Sequence, residues 1–250
     1  MSRSTDPILN AGPMSPVASR RSRRTFLGGT AAAGLALASA TLLDSPPISA
    51  ASDPAKIKAI FTVARTAEQL AVTFYSNGLQ NADQLGLGPE AQGQIQAALV
   101  EEQLHQRLFT AQGGDSLTDT FSFPQGAATF SDLGTFIATQ QMLEGVFDSA
   151  FLAAVREFAE MGEARLAQIA AQIACVESEH RALGRDIGGL DPGDNWTYAP
   201  VLVSFVADAP ALVQSAGFLS PAPSNTYKYA AVDTSLAGIM YKDGPFSKRQ

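Results

Sequence analysis

Both histidines of this 250-residue chain close a Glu-x-x-His tetrad: Glu102-Gln103-Leu104-His105 and Glu177-Ser178-Glu179-His180. On an α-helix, residues three apart share a face, so each tetrad presents one carboxylate and one imidazole side by side. The apolar residues around each tetrad keep the helical period. One stripe reads Ile95, Ala98, Leu99, Glu102, His105 and Phe109; the other reads Leu166, Ile169, Ile173, Val176, Glu177, His180 and Leu183. Ionisable groups on an apolar face are costly unless they are paired or hold a cation. A chain with this pattern is constrained to helices whose inner faces meet at one place.

Two more helices are legible. Ser52-Asp53-Pro54 supplies an N-cap and a first-turn proline, and Ile57, Ile60, Phe61, Ala64, Ala67, Ala71, Val72 and Tyr75 then recur with helical spacing. This first helix is expected to end near Asn77-Gly78. The second starts at Gly88-Pro89-Glu90 and runs to about Gly113-Gly114. Ser131-Asp132 caps the third, whose buried stripe is Phe136, Ile137, Gln140, Glu144, Phe147, Phe151, Val155 and Phe158. A break at Met161-Gly162 opens the fourth, which stops by Gly188-Gly189. The expected fold is all-α, an antiparallel four-helix bundle over residues 54–189. Residues 113–130 are long for a loop in a compact domain and read as a crossover from one end of the bundle to the other. Residues 190–250 are interrupted by Pro200, Pro210, Pro221 and Pro223 and read as an irregular extension. A short helix or two is expected within Val201–Leu219, followed by a loop-like tail anchored by Tyr227, Tyr229 and Tyr241.

The helices that lack a tetrad each carry a glutamate on the inner stripe. Glu68 is the only acid of the first helix, between Ala64 and Ala71; Glu144 holds the same place in the third, between Gln140 and Phe147. Glu68 precedes Glu102 by 34 residues and Glu144 precedes Glu177 by 33, as an internal duplication with a pseudo-twofold axis would give. A glutamate from each of two helices and a Glu-x-x-His from each of two others is a set that holds a pair of metal ions in a bundle core. Glu68, Glu102, His105, Glu144, Glu177 and His180 are therefore the candidate metal ligands, with the imidazoles as ligands rather than general bases. Mixed carboxylate and imidazole donors suit iron or manganese, whereas structural zinc rarely needs six ligands.

Other residues receive plainer readings. Glu101 and Glu179 fall beside the stripe and are expected in solvent or behind the ligands. Glu157, Glu160 and Glu163 read as an ordinary charged helix end. Cys175 reads as a small buried residue. Tyr75, two turns beyond Glu68, reads as core packing, with a hydrogen bond to a ligand as the alternative. Trp196 has no evident chemistry.

Charge and cysteine content exclude several classes. The net charge of −7 and the lack of a basic stripe in the body argue against nucleic acid. One cysteine excludes an internal disulfide and any cysteine-built zinc or iron–sulfur cage. Residues 1–50 hold five arginines and two acids, which leaves 12 bases and 22 acids, about −10, on the rest. The basic cluster ends in Ser22-Arg23-Arg24-Thr25-Phe26-Leu27, before a mild apolar stretch rich in Ala and Gly to about Leu43. This resembles a twin-arginine export signal with Arg23 and Arg24 as its pair, and implies passage through that machinery to the periplasm or beyond. Cleavage is expected around Ser49-Ala50-Ala51 in preference to Ala38-Ser39-Ala40. A disordered basic arm or a retained anchor is the alternative; the stretch is short and Gly-rich for a stable span.

The ligand pattern over residues 54–189 resembles the ferritin-like di-metal carboxylate superfamily, which includes ferritins, rubrerythrins and manganese catalases. The resemblance implies that two ions are held by the six residues above and that one glutamate of each half lies between the ions. Glu102 and Glu177 are the expected bridges. It further implies redox chemistry on dioxygen or peroxide, or oxidation of Fe(II), and possible homo-oligomers. Two departures stand out: there is no Cys-x-x-Cys pair for a rubredoxin module, and an export signal is unlike cytoplasmic storage ferritins. The chain is most similar to exported bacterial ferritin-like proteins grouped with desiccation-related proteins. Iron sequestration without turnover is one alternative, and a non-catalytic envelope stress protein with a structural or vestigial metal site is another.

Overall fold

Asp53 starts the first helix: its carboxylate accepts from the backbone N–H groups of Ala55 and Lys56, and Pro54 occupies the first turn. A computed structural model describes residues 52–246. The export signal, with Arg23 and Arg24, lies outside the described residues. Helix α1 spans Pro54–Gln80, a short α2 spans Ala82–Leu85, and α3 spans Pro89–Ala111. Helix α4 covers Leu133–Glu160, capped by Asp132 through Thr135, and α5 covers Ala164–Ile187. Among the described residues, no helix is long and apolar enough to cross a membrane.

The chain is all-α in its body, as expected. Helix α1 packs along α3, and α4 along α5. Within each pair the helices are antiparallel: the end of α3 meets the first half of α1, where Phe109 packs on Phe61 and Arg65 donates to the Gly114 carbonyl, while Gln140 of α4 reaches His180 of α5. Phenylalanines join the two pairs. Phe61 packs on Phe158 at one end of the bundle, and Phe74 stacks on Phe136 at the other, with centroids 4.5 Å apart. The segment between α3 and α4 runs from the first of these ends to the second, so it is a crossover.

That crossover contributes structure beyond a plain loop. Strand β1 (Thr120–Phe121) pairs antiparallel with β2 (Tyr227–Lys228) of the C-terminal region. Phe121 and Phe123 are fully buried, and Phe123 packs edge-on against Phe218 and Tyr227. The extension holds a 3₁₀ turn at Val206–Asp208 and helix α6 at Ala209–Ser215, within the span expected for a short helix or two.

Four readings need correction. Helix α1 continues past Asn77-Gly78 to Gln80 because Gly78 is an interior contact rather than a stop: a Cβ there would lie 2.6 Å from the Phe136 ring. Cys175 is exposed. It precedes Glu177 by two positions, about 200° round the helix at 3.6 residues per turn, so an inward Glu177 turns it out. Glu157 is buried rather than part of a solvated helix end; it accepts from the Val206 N–H at 2.7 Å and pairs with Lys56 at 3.1 Å. Tyr241 is half exposed at a positive φ rather than packed in the core, whereas Tyr227 packs on Phe130 and the Tyr229 hydroxyl donates to Gln103.

Candidate metal centre

Four helices deliver the six side chains to one place in the core. Glu68 comes from α1, Glu102 and His105 from α3, Glu144 from α4, and Glu177 and His180 from α5. Their donor atoms form two overlapping groups. Glu68, Glu102, His105 and Glu177 make one, and Glu102, Glu144, Glu177 and His180 make the other; donor atoms within each lie within 4.8 Å of one another. Glu102 and Glu177 belong to both. Each turns one oxygen to each histidine. His105 Nδ1 is 3.7 Å from Glu102 Oε2 and 3.6 Å from Glu177 Oε1, while His180 Nδ1 is 3.0 Å from Glu102 Oε1 and 3.4 Å from Glu177 Oε2. Glu68 Oε2 is 3.9 Å from His105 Nδ1.

The cluster is dry. The four carboxylates are at most 1 % exposed and His180 is 3 % exposed, while the His105 side chain keeps 15 % of its surface. Nine of the buried donor atoms lack a hydrogen-bond partner: both oxygens of Glu68, Glu102 and Glu177, Oε2 of Glu144, and Nδ1 of each histidine. Buried polar atoms are almost always satisfied. So many orphans converging on one centre are what a cation-binding cage leaves when no cation is counted, and two groups sharing two carboxylates fit a pair of ions.

Electrostatics tell the same story. Burial, followed by the field of Glu102, raises the Glu68 carboxyl well above the usual range; burial and the fields of Glu177 and Glu102 do the same to Glu144. Burial also works against charge on Glu102, yet its close approaches to Glu68, His105 and His180 outweigh it and hold that carboxyl below the ordinary range. Burial opposes a charged His105, but its contacts with Glu102 and Glu177 push its pKa up to about 9, and His180 is likewise raised. Protons thus stand in for cations among carboxylates that cannot all be charged together.

Groups around the cluster hold it in place. His180 Nε2 is 2.9 Å from Glu101 Oε2, which fixes the ring with Nδ1 facing the centre. Glu101 therefore stands behind a candidate ligand, one of the two places expected for it. Tyr75 combines both of its readings: it is buried in the core and its hydroxyl donates to Glu144 Oε1. Gln140 Nε2 donates to the His180 carbonyl at 2.6 Å and to the Tyr75 hydroxyl at 3.2 Å, and its side chain lies against Gly184 where no Cβ intervenes. Arg181, next to His180, bonds Gln141 and Asn195 and stacks 3.4 Å above the Trp196 ring, which gives that tryptophan a role unread in the sequence. Gln103, inside the first tetrad, accepts from the Tyr229 hydroxyl and the Val232 N–H and so ties the C-terminal tail to α3. A buried amide on an apolar stripe is a readable signal for Gln140; the partners of Gln103 and Arg181 lie in the irregular extension and left no periodic trace.

Comparison with known proteins agrees with the fold. The ferritin-like domain family matches residues 57–189, which are α1 to α5 and the crossover. No curated protein and no solved structure matches the chain. With more than half of its length inside that match, and with four helices converging on a Glu/His cluster, the chain belongs to the ferritin-like domain family.

Proposed function

We propose that this is an exported protein with a dinuclear iron or manganese centre that carries out redox chemistry on dioxygen or peroxide, or oxidises Fe(II). The observation that carries the reading is the pair of overlapping donor groups with Glu102 and Glu177 in common. Glu68 and His105 would complete one metal position and Glu144 and His180 the other. When bound, iron or manganese supplies a couple between +2 and +3 states that protein side chains lack.

The protein groups have definable tasks. Four carboxylates offset most of the charge of two divalent ions inside a core that excludes water. Glu101 orients His180 and keeps its Nδ1 free for a metal. Tyr75 and Gln140 hold Glu144 in a fixed orientation. His105 carries no comparable partner and keeps some exposure, so its side of the centre is the one that faces entering ions and small oxidants. Export through the twin-arginine route would deliver the folded, loaded protein to the periplasm or beyond.

Metal analysis tests the centre. Protein purified from cells supplied with both iron and manganese is expected to hold about two ions per chain, as dinuclear bundles do. Less than one per chain would overturn the reading. Oxygen and peroxide consumption by the loaded protein then tests turnover, and fractionation of wild type against an Arg23→Lys, Arg24→Lys variant tests export.

A further inference from the structure

A second chamber lies beside the cluster. It has a volume of about 50 Å³ and sits between the four long helices and the C-terminal extension, at the end of the bundle where α1 and α5 begin. Ala64, Ala67, Phe109, Phe147, Ala150 and Val213 are among its walls. Three of these stand close to site residues in sequence and on the same helices. Ala64 is one turn before Glu68, Phe109 one turn after His105, and Phe147 three residues after Glu144. None of the six cluster residues lines the chamber. Its space therefore does not open directly onto the carboxylates.

The walls decide what can stay inside. Thr66 and Gln112 are the polar side chains among them. The Thr66 hydroxyl is already committed, donating to the Thr62 carbonyl and accepting from the Leu117 N–H. Gln112 is exposed at the edge, beside Leu117, which is 55 % exposed. A buried water needs two to four polar partners, and a chamber without them stays dry and takes apolar guests such as xenon. Roughly 10–15 Å³ is enough for one water-sized molecule, so this volume admits a diatomic gas with room to spare. Hydrogen peroxide would have to give up its hydrogen bonds to water on entering an apolar site. Dioxygen gives up none.

We propose that this chamber is a binding site for dioxygen, which it holds between walls set one helical turn along from cluster residues while giving water and peroxide little to bond. The assignment rests on the reading of the cluster as a centre for oxygen chemistry and names dioxygen as the oxidant this chamber serves. The chamber's small residues carry the selectivity, since Ala64, Ala67 and Ala150 leave open the space that larger side chains would fill.

Xenon is the probe, because it reports on the chamber without any metal. Crystals of the metal-free protein under xenon pressure are expected to show a xenon atom between Ala64, Phe147 and Ala150. Ala150→Leu should abolish that peak; Ala64→Val serves the same purpose if the first variant does not fold. In iron-loaded protein the same variant should raise KM for dioxygen severalfold while kcat and peroxide consumption stay unchanged. Absence of xenon from the wild type overturns the proposal, and so does bound xenon with an unchanged KM in the variant. Wild-type protein that loads iron yet consumes no dioxygen would overturn the oxygen-chemistry reading and remove dioxygen as the occupant, an outcome separable from the first because xenon binding is read without metal.

Discussion

Glu101 and Glu102 are adjacent in sequence and do different work. Glu102 is wholly buried and faces both histidines, whereas Glu101, a third exposed, reaches His180 from behind at 2.9 Å. A carboxylate behind a ligating imidazole typically governs metal affinity by 10- to 100-fold. Glu101→Ala is therefore expected to weaken one of two metal-binding steps by about that factor in a chelator competition titration, with the other step little changed because His105 has no such partner. A uniform loss in both steps would contradict that division. A second residue-scale consequence concerns pH. In metal-free protein Glu68 and Glu144 titrate above the ordinary carboxyl range, and His105 at about 9 against an ordinary 6.5. In each case the folded state holds protons that the unfolded chain has released, so stability falls as pH rises through the interval. The melting temperature of the metal-free protein should thus decline from about pH 6.5 to pH 9, the window set by His105. Metal requires the deprotonated ligands, so loading should release protons and flatten the decline. A flat profile in the metal-free protein would show that the cluster does not carry these protons.

At the scale of helices, glycine in an interior turn ordinarily costs about 1 kcal/mol relative to alanine, so Gly→Ala usually stabilises. Gly78 should reverse that sign. A Cβ there meets the Phe136 ring at 2.6 and 2.7 Å, and that ring is 1 % exposed and stacked on Phe74. Overpacking of this kind costs about 1–3 kcal/mol, enough to exceed the propensity gain. Gly78→Ala is expected to lower the urea midpoint with an unchanged slope; a raised midpoint would show that α1 and α4 slide apart freely. The same position explains how much was legible. Periodicity located four helices and the six cluster residues, because a lone glutamate on an apolar stripe stands out in a helix of any length. It misjudged the end of α1, where Asn77-Gly78 carries the local signature of a stop and only Phe136, on another helix, overrules it. Glu157 failed for the same reason. Its place near Glu160 and Glu163 looks solvated, and the N–H that buries it belongs to Val206, 49 residues away. Cys175 was misread because its position on α5 depends on the phase set by Glu177.

Taken whole, the molecule joins two ways of holding itself together. The helices bury a continuous aromatic and aliphatic core, while the crossover and the extension add hydrogen bonds between distant residues, such as Ser122 to Phe218, Asn225 to Phe123 and Gln103 to Tyr229. Contacts of that second kind have no period, so the extension was readable only as irregular. At the centre of the first kind lie four glutamates, each 1 % exposed or less, that only protons or cations can reconcile. The stability of the whole should therefore follow metal occupancy. A cation that binds the folded chain and not the unfolded one adds about 2.7 kcal/mol at a free concentration a hundredfold above its Kd. For a folded body of this size that corresponds to a rise in Tm of about 2–4 °C per kcal/mol. Stripping the protein with a chelator and dialysing the chelator away should lower Tm by several degrees, and iron or manganese added back should restore it in proportion to the logarithm of free metal. A mutant with both His105→Ala and His180→Ala should melt at one temperature whether or not metal is added, since it lacks a nitrogen donor at each position. A double variant that still gained several degrees from metal would place the stabilising ion elsewhere in the chain. A wild type indifferent to metal would leave protons alone to reconcile the four glutamates.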